Sequence, residues 1–299
     1  MKQKVGMIGL GIMGSAMAGN LLKGGFEVIG YDIIPERIKD LTHKKGIGAV
    51  SCKEVAQKAD VIITSLPSNE ALHKVVFDED GLLTGAKRGL VLVETSTLSL
   101  EAKEEAYEAL KSVGADMLDC PLSGTRSQAL RKDLAVYASG NQETCERCRA
   151  IFDGFARAVY YIGEFGMGTK LKFLNNLLVT IHNVSAAEAF VLGMKAGLDP
   201  QMIYKAVIDG SGSSRMFEVR GPLMVAGKYD DPMMKVDLHR KDIKLITNFA
   251  NGLQCPTPLL SAAAQIYTAA SAHGWGNQDT ASVCAVLEEM AGLKRTGNQ

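Results

Sequence analysis

The sequence predicts an α/β domain built on a parallel sheet, then an all-α domain, with one long helix bridging the two. Up to about residue 162, short β-branched runs alternate with stretches at helical spacing, which is typical of a parallel sheet covered by helices on both faces. After Gly168 no strand-like alternation appears, and residues 169–196 contain one glycine and no proline. We therefore predict a first domain at 1–163 and a second at 164–299.

Local patterns place the individual elements. Apolar runs rich in Val and Ile predict strands at 4–8, 27–31, 49–51, 61–65, 90–94, 117–119, 134–138 and 159–162. Apolar residues at helical spacing predict helices between them at 14–23, 35–44, 52–58, 69–76, 100–112 and 142–152. The bridging helix is predicted at 169–196, and further helices at 213–226, 236–251, 259–272 and 279–290.

The first strand, turn and helix carry glycines in the spacing G-x-G-x-x-G, at Gly9, Gly11 and Gly14. In a dinucleotide-binding unit these glycines permit the tight turn, the close approach of a pyrophosphate and the packing of helix on strand, respectively. Asp32 ends the second strand, where a carboxylate accepts hydrogen bonds from the adenosine ribose. This context favours a Rossmann-type domain that binds NAD over the alternative, a glycine-rich turn without a ligand.

Composition excludes several other classes of function. Lys plus Arg and Asp plus Glu both number 33, and no basic block stands out, so nucleic acid is not an expected partner. No apolar run stands out as a membrane span, and the N-terminus enters a strand directly, so we expect a soluble cytoplasmic protein. The six cysteines are scattered and the five histidines dispersed, so we expect reduced thiols and no metal. Cys145 and Cys148 form a C-x-x-C within an amphipathic helix, which favours two buried thiols over a zinc or redox site.

Three loops with polar residues follow predicted strands, at 65–68, 94–97 and 119–125. Ligands of parallel sheets bind at the carboxyl ends of the strands, which is where these loops fall. Each loop alone is also compatible with ordinary turn chemistry from Ser, Pro and Gly. Their shared sheet edge with the glycine turn favours a binding site.

The bridging helix carries Lys172 and Asn176 on one face near its start, because they are four residues apart. A lysine on a helix is most often a solvated surface residue. Here the neighbours are apolar, and the paired amides Asn175 and Asn176 are costly to bury without hydrogen bonds. We therefore predict that this face contacts a substrate at the domain junction.

Four motifs in order, GLGIMG, DCPLSGT, GMGTKLKFLNN and LHRKD, resemble those of the β-hydroxyacid dehydrogenase family, whose best-known member is 3-hydroxyisobutyrate dehydrogenase. The resemblance covers nearly the whole chain and implies homodimers or homotetramers. It implies that NAD is held by Gly9, Leu10, Gly11, Ile12, Met13, Gly14 and Asp32, with Leu66, Pro67 and Thr97 on the nicotinamide side. It implies that the small anionic substrate binds through its carboxylate to Ser123, Gly124 and Thr125, and that Asn176 orients it. It also implies that Lys172 is the acid/base catalyst and that Lys241 binds the cofactor and closes the site near cofactor and substrate.

The substrate region departs from the family pattern. Thr125 stands where the family usually has a second glycine, and Lys132-Asp133 stands where it usually has Gly-Thr. Arg126 follows the carboxylate loop and either meets a second anionic group or is simply exposed. The sequence therefore predicts intact catalytic residues and a substrate pocket unlike that of the best-known member.

We accordingly predict an NAD-dependent oxidoreductase that moves hydride to or from the β-carbon of a small β-hydroxy acid. The nearest alternative is an NADH-dependent reductase of a small aldehyde acid, of the semialdehyde or 2-hydroxy-3-oxopropionate type. Imine reductases share the architecture but usually lack the lysine, so Lys172 disfavours them. An alternative of another class is an NAD-binding module without turnover.

Overall fold

The computed structural model describes residues 4–295 of the chain. Two compact units are formed, Met1–Lys172 and Phe173–Gln299. The division between them falls inside the long helix, a little beyond the domain boundary predicted after residue 163.

In the described part of the first unit, strands and helices alternate as the sequence predicts. The strands are β1 (Lys4–Ile8), β2 (Glu27–Tyr31), β3 (Ile47–Gly48), β4 (Val61–Thr64), β5 (Val91–Glu94), β6 (Asp116–Asp119), β7 (Leu122–Ser123), β8 (Ala135–Ser139) and β9 (Ala158–Gly163). The helices are α1 (Ile12–Lys23), α2 (Pro35–His43), α3 (Cys52–Lys58), α4 (Asn69–Phe77), α5 (Leu82–Gly85), α6 (Leu100–Ser112), α7 (Arg126–Leu130), α8 (Gln142–Arg147) and α9 (Arg149–Phe155).

The strands form one sheet in the order β3-β2-β1-β4-β5-β6-β8-β7, with β9 beside β8. Every neighbouring pair from β3 to β6 is parallel. Strand β8 instead runs antiparallel to β6 and β7, and β9 is parallel to β8. The predicted parallel sheet is therefore confirmed for the six strands from β3 to β6 and wrong in direction for β8 and β9. The apolar pattern of a buried strand is the same in both directions, so only the connections decide this.

Both faces of the sheet are buried, as expected where helices cover a parallel sheet. Successive residues of β1 enter opposite sides: Met7 belongs to a core that includes Phe152, and Ile8 to a core that includes Val55 and Leu110. All four positions of β4 and of β5 are buried. This explains why these strands are continuous apolar runs in the sequence rather than alternating ones.

Side-chain caps explain where several helices begin. The hydroxyl of Ser51 accepts the N–H of Glu54, and Ser68 and Ser99 act in the same way at α4 and α6. Because Ser51 is a cap, the strand predicted at 49–51 is wrong, and the residues that pair with β2 are the two just before it, Ile47–Gly48. The helix predicted at 142–152 is two helices that meet at Cys148. The short elements β7, α5 and α7 were not predicted.

The second unit is all-helical in its described part, as predicted. Its helices are α10 (Met167–Lys195, which starts in the first unit), α11 (Pro200–Ile208), α12 (Arg215–Ala226), α13 (Val236–Gly252), α14 (Pro258–Ala272) and α15 (Val283–Met290), with a 3₁₀ turn at Thr280–Ser282. Helix α11 was not predicted, and the helix predicted at 279–290 begins with that 3₁₀ turn.

Helix α10 is long and apolar enough, by length and composition, to cross a membrane, contrary to the expectation from the sequence. A buried polar side chain in its second-unit part nevertheless has partners inside that unit. The amide of Asn183, 1% exposed, donates to Tyr267 Oη and to the carbonyl of Thr280, both at 2.8 Å. Buried, hydrogen-bonded amides are typical of a core helix. We interpret α10 as the core helix of a soluble protein.

Candidate active site

The glycine turn after β1 has the shape that a dinucleotide requires. Gly9 has φ +87°, and a Cβ on it would collide with the carbonyl of Ser65, while a Cβ on Gly14 would collide with the carbonyl of Gly9. At Gly11 the nearest atom to an added Cβ is Arg37 Nη1 at 3.9 Å, so the turn is open there. No side chain caps the start of α1, which leaves its first N–H groups for an anion. These residues fit the pyrophosphate of NAD.

Asp32, 6% exposed, is fixed at the carboxyl end of β2. Its carboxylate accepts the N–H of Leu10 at 2.7 Å and the N–H of Ile34 at 2.9 Å. Arg37 Nη1 lies 3.2 Å from Asp32 Oδ2, and its side chain is 43% exposed. The acid thus sits where an adenosine ribose is expected, with a partly exposed cation beside it. Of the other predicted cofactor residues in this turn, Ile12 is exposed and Met13 packs against the core.

The loops after β4 and β5 are bonded to each other at the same sheet edge. The N–H of Leu66 donates to Ser96 Oγ at 2.7 Å. Asn69 and Ser99 exchange two bonds of 3.1 Å, one through the Asn69 amide nitrogen and one through its oxygen. This pairing fixes the predicted nicotinamide residues, Leu66, Pro67 and Thr97, on two adjoining loops.

The predicted carboxylate loop follows β6. Ser123 ends β7 and is half-buried, and Gly124 has φ +144°, a backbone conformation that favours glycine. Thr125 caps α7: its N–H and its hydroxyl both donate to Gln128 Oε1, at 2.9 and 3.1 Å. The donors of Thr125 are therefore engaged within the protein. Arg126 is exposed at the start of α7.

The start of α10 is bonded to the ends of strands. The N–H of Gly168 donates to Ser139 Oγ at 2.9 Å, and the N–H of Thr169 donates to Asp119 Oδ2 at 2.7 Å. A Cβ on Gly168 would collide with the carbonyls of Asp119 and Tyr137, so only glycine allows this approach. Lys172 is half-buried and lies three residues after Thr169, about 4.5 Å along the helix axis.

In the second unit, Asn176 and Lys241 share one partner that the sequence analysis did not assign. Asn176 Nδ2 donates to Asp242 Oδ2 at 2.9 Å, and Lys241 Nζ lies 3.2 Å from Asp242 Oδ1. Asn176 and Asp242 are 5% and 3% exposed. The hydroxyl of Thr180 donates to the carbonyl of Asn176 and lies 2.9 Å from His239 Nε2. A buried carboxylate thus sets the direction of the amide.

The predicted site residues therefore form two groups. The first group lies in the first unit, at or just after the ends of strands. It comprises the glycine turn, Asp32, the two nicotinamide loops, the carboxylate loop and Lys172. In the second unit, Asn176 and Lys241 meet on Asp242. Sequence reasoning missed Asp242, although it quoted the LHRKD motif that contains it, and it missed a buried lysine on α6, Lys103. The signal for Lys103 was its place on the apolar stripe of an otherwise polar helix.

The cysteines are free thiols, and Cys145 and Cys148 are both buried, as the sequence predicts. Burial raises the pKa of Cys148 to about 12, so it is an inert thiol at neutral pH. Among residues 4–295, no group of three or more His, Cys, Asp or Glu side chains is arranged to hold a metal ion.

Two family models match the chain. The NAD binding domain of 6-phosphogluconate dehydrogenase matches residues 4–163, and the model described as NAD-binding of NADP-dependent 3-hydroxyisobutyrate dehydrogenase matches residues 166–287. The chain therefore contains NAD-binding domains, and the cofactor predicted from the glycine turn is confirmed.

Whole-chain relatives agree with these models. The chain is 31% identical to L-threonate dehydrogenase of Cupriavidus necator, over 96% of this chain and 97% of the relative. It is 30% identical to 2-hydroxy-3-oxopropionate reductase of Escherichia coli K12, over 97% and 99% of the two chains. The crystal structure of 3-hydroxyisobutyrate dehydrogenase from Salmonella typhimurium superposes with a TM-score of 0.87 at 32% identity, over 95% of this chain and all of that one. The chain therefore belongs to the β-hydroxyacid dehydrogenase family and is an NAD(P)-dependent oxidoreductase that acts on a CH–OH group.

Proposed function

We propose that the enzyme moves hydride between NAD and the β-carbon of a small β-hydroxy acid, with Lys172 as the general acid/base. The observation that supports this most strongly is the anchoring of the start of α10 on Asp119 and Ser139. It brings the first turns of the helix that carries Lys172 to the strand ends at which the glycine turn and the nicotinamide loops also lie. Ligands of such sheets bind at that edge.

The proposed chemistry needs one proton acceptor and one hydride acceptor. The nicotinamide supplies the hydride acceptor when NAD is bound. Neutral Lys172 accepts the hydroxyl proton as the C–H bond breaks, and in the reverse direction its ammonium returns that proton to the alkoxide oxygen. In the oxidative direction one proton and one hydride leave the substrate, whose carbon is oxidised by two electrons as NAD is reduced; the reductive direction reverses both transfers.

Substrate is held through its carboxylate in this proposal. Ser123 and Gly124 are the proposed donors, because both donors of Thr125 already serve Gln128. Asn176 orients the substrate, and Asp242 directs the amide of Asn176. Preorganised donors of this kind supply much of the rate of an enzyme by placing the reacting carbon.

The relatives named for L-threonate, 2-hydroxy-3-oxopropionate and 3-hydroxyisobutyrate share a small substrate with one carboxylate and an oxygen-bearing carbon. The same class is proposed here. Reduction of a small aldehyde acid is the second candidate, because a relative at 30% identity is named a reductase and the same residues serve both directions.

The test is a panel of three- to six-carbon β-hydroxy acids and aldehyde acids, with and without a second anionic group. Initial rates are measured with NAD and NADP for oxidation and with NADH and NADPH for reduction. We expect turnover of at least one monocarboxylic β-hydroxy acid with NAD. Turnover of aldehyde acids alone would favour the second candidate, and no turnover with tight NADH binding would favour a cofactor-binding module.

We also propose that the enzyme is a homodimer or homotetramer in the cytoplasm, as the family resemblance implies. On α10, Leu174 and Leu178 are 56% and 50% exposed and lie four residues apart on one face. Sedimentation velocity at several protein concentrations tests the assembly, and a monomer at every concentration would contradict it.

A further inference from the structure

Helix α6 carries a lysine that has no access to solvent. Lys103 is 0% exposed and shares the buried side of the helix with Ala106 and Leu110. Its Nζ lies 2.7 Å from Glu94 Oε2 and 2.7 Å from Asp119 Oδ1, and both carboxylate side chains are also 0% exposed. Buried ion pairs are expensive to desolvate, and apolar residues of similar volume often stabilise a fold at least as much as the ion pair does. Stability alone is therefore a weak reason for this group.

The ammonium also contacts the first turn of α10. Lys103 Nζ donates to Thr169 Oγ1 at 3.0 Å, and this hydroxyl donates to Asp119 Oδ1 at 2.7 Å. The N–H of Thr169 donates to the other oxygen of Asp119. Burial disfavours the charged lysine, but Asp119 and Glu94 outweigh this and raise the pKa of Lys103 above its usual value. Lys103 is therefore a permanent cation near neutral pH and is not itself a base.

One face of α6 holds the whole segment that leads into α10. Leu100, Lys103 and Tyr107 lie on that face at intervals of three and four residues. The Tyr107 ring stacks on Phe165 with a centroid distance of 4.4 Å. Gly166 has φ +88°, and a Cβ on it would come within 3.1 Å of Leu100. Lys103 supplies the polar contact of this face, to Thr169.

The same cation fixes the nicotinamide loops. Lys103 Nζ donates to the carbonyl of Ser96 at 2.8 Å. The N–H of Ser96 donates to Glu94 Oε1 at 2.9 Å, and the hydroxyl of Ser96 accepts the N–H of Leu66 at 2.7 Å. Thr97 follows Ser96 directly. A single ammonium thus binds the start of the Lys172 helix and the loop that carries Thr97.

We propose that Lys103 is a positioning residue for the reaction, an inference that rests on the proposed function. By holding Thr169 and the carbonyl of Ser96 on one cation, it sets the position of Lys172 relative to the loops of Leu66 and Thr97. A misplacement of about 1 Å can cost about 10²-fold in rate, so such a clamp has value beyond stability.

The test weakens the clamp without changing the net charge of the buried cluster. Lys103→Met alone leaves two carboxylates without a counter-charge and can prevent folding. Thr169→Val instead removes only the hydroxyl, and Lys103→Met/Glu94→Gln removes one charge of each sign while Asp119 keeps the donors of Thr169. For both variants we expect kcat to fall about 10- to 100-fold. We expect KM for the acid and the Kd of NADH, measured by fluorescence, to stay near wild type. Thr169→Ser, which restores the hydroxyl, should recover kcat.

Thr144→Val is the matched control. The hydroxyl of Thr144 donates to Asp116 Oδ2 at 2.6 Å, so it makes the same kind of bond at the opposite end of β6. We expect Thr144→Val to lower Tm about as much as Thr169→Val and to keep wild-type kcat. Hydrogen exchange of the amides at 167–172, which needs no turnover, should speed up in Thr169→Val and not in Thr144→Val.

The positioning role of Lys103 and the proposed function are contradicted by different results. If Thr169→Val loses only Tm, with kcat and amide exchange as in Thr144→Val, Lys103 and its partners are structural and the inference is overturned. If wild type turns over no member of the substrate panel, the proposed function fails, and amide exchange at 167–172 still decides whether the clamp exists.

Discussion

Asn176 Nδ2 donates to Asp242 Oδ2 at 2.9 Å, and Lys241 Nζ lies 3.2 Å from the other oxygen of the same carboxylate. A carboxylate accepts hydrogen bonds but cannot donate them, so it fixes the amide with its nitrogen toward Asp242. We expect Asp242→Asn, which removes the charge and permits the amide of Asn176 to turn, to lower kcat/KM for the acid about tenfold. NADH affinity should change less.

Asp237→Asn is the control for that prediction, because Asp237 lies on the same helix, is exposed and pairs with Arg240. Steady-state kinetics of both variants check it. Equal kinetics for Asp242→Asn and Asp237→Asn would show that the direction of the Asn176 amide has no role in substrate binding.

Lys172→Ala should lower kcat by about 10² to 10⁴, the usual range for a lost general acid/base, while the fold and NADH binding persist. Lys170→Ala, on the same helix turn, is the control and should retain near-normal kcat. The measurements are kcat and the fluorescence Kd of NADH. His239 is the alternative proton acceptor, but it is buried beside Thr180 in the second unit. Near-normal kcat in Lys172→Ala would disprove the proposed mechanism.

Asp32 should make the enzyme prefer NAD, because its buried carboxylate accepts ribose hydroxyls and repels a 2′-phosphate. Arg37, 3.2 Å from that carboxylate, is the group that would soften this preference. We expect Arg37→Ala to lower kcat/KM for NADP and to leave or raise that for NAD. Kinetics with both cofactors check this. A wild type with better kcat/KM for NADP would contradict the role given to Asp32.

Ser123→Ala should raise KM for the acid about tenfold, since the free energy of a lost hydrogen bond to a carboxylate corresponds to about a tenfold loss of affinity. KM for NAD should stay unchanged. Ser127→Ala, four residues along and exposed, is the control. A change in the cofactor KM alone would show that Ser123 does not bind the carboxylate.

In the same assay, Arg126→Ala should affect only substrates with a second anionic group. Equal effects on substrates with and without that group would exclude a contact between Arg126 and the second anion.

Alkaline pH should destabilise the fold through its buried thiols. Burial raises the pKa of Cys52, Cys148 and Cys284 from the ordinary 9.0 to about 12. The folded state therefore keeps these protons while the unfolded state loses them, so the stability that they contribute is full below pH 9.0 and is lost as pH rises toward about 12. Urea unfolding should show a loss of about 1 kcal/mol per pH unit per thiol in that window.

Cys148→Ala should reduce that slope, whereas Cys255→Ala, at an exposed thiol, should not. A free energy of unfolding that stays level from pH 9.0 upward would contradict the prediction.

The sequence by itself determined the features that depend on a few neighbouring residues. The glycine turn was recognisable because only glycine adopts φ +87° at Gly9 and allows the approach at Gly14. Helices α3 and α6 were predicted to the residue, because the serine caps and the helical spacing are local signals. Each of the four motifs is likewise a short run of neighbouring residues, and their order along the chain identified the family.

The tertiary structure alone decided which charges meet. Lys103 lies in the polar stretch LEAKEEAYEALKS, where a lysine is normally solvated, and only the packing of α6 on β5, β6 and the start of α10 surrounds it with Glu94, Asp119 and Thr169. Likewise, local sequence could not show that β8 reverses direction. Burial and charge pairing depend on residues distant in the chain, because the free energy of a buried ion depends on its whole surroundings and not on its own segment.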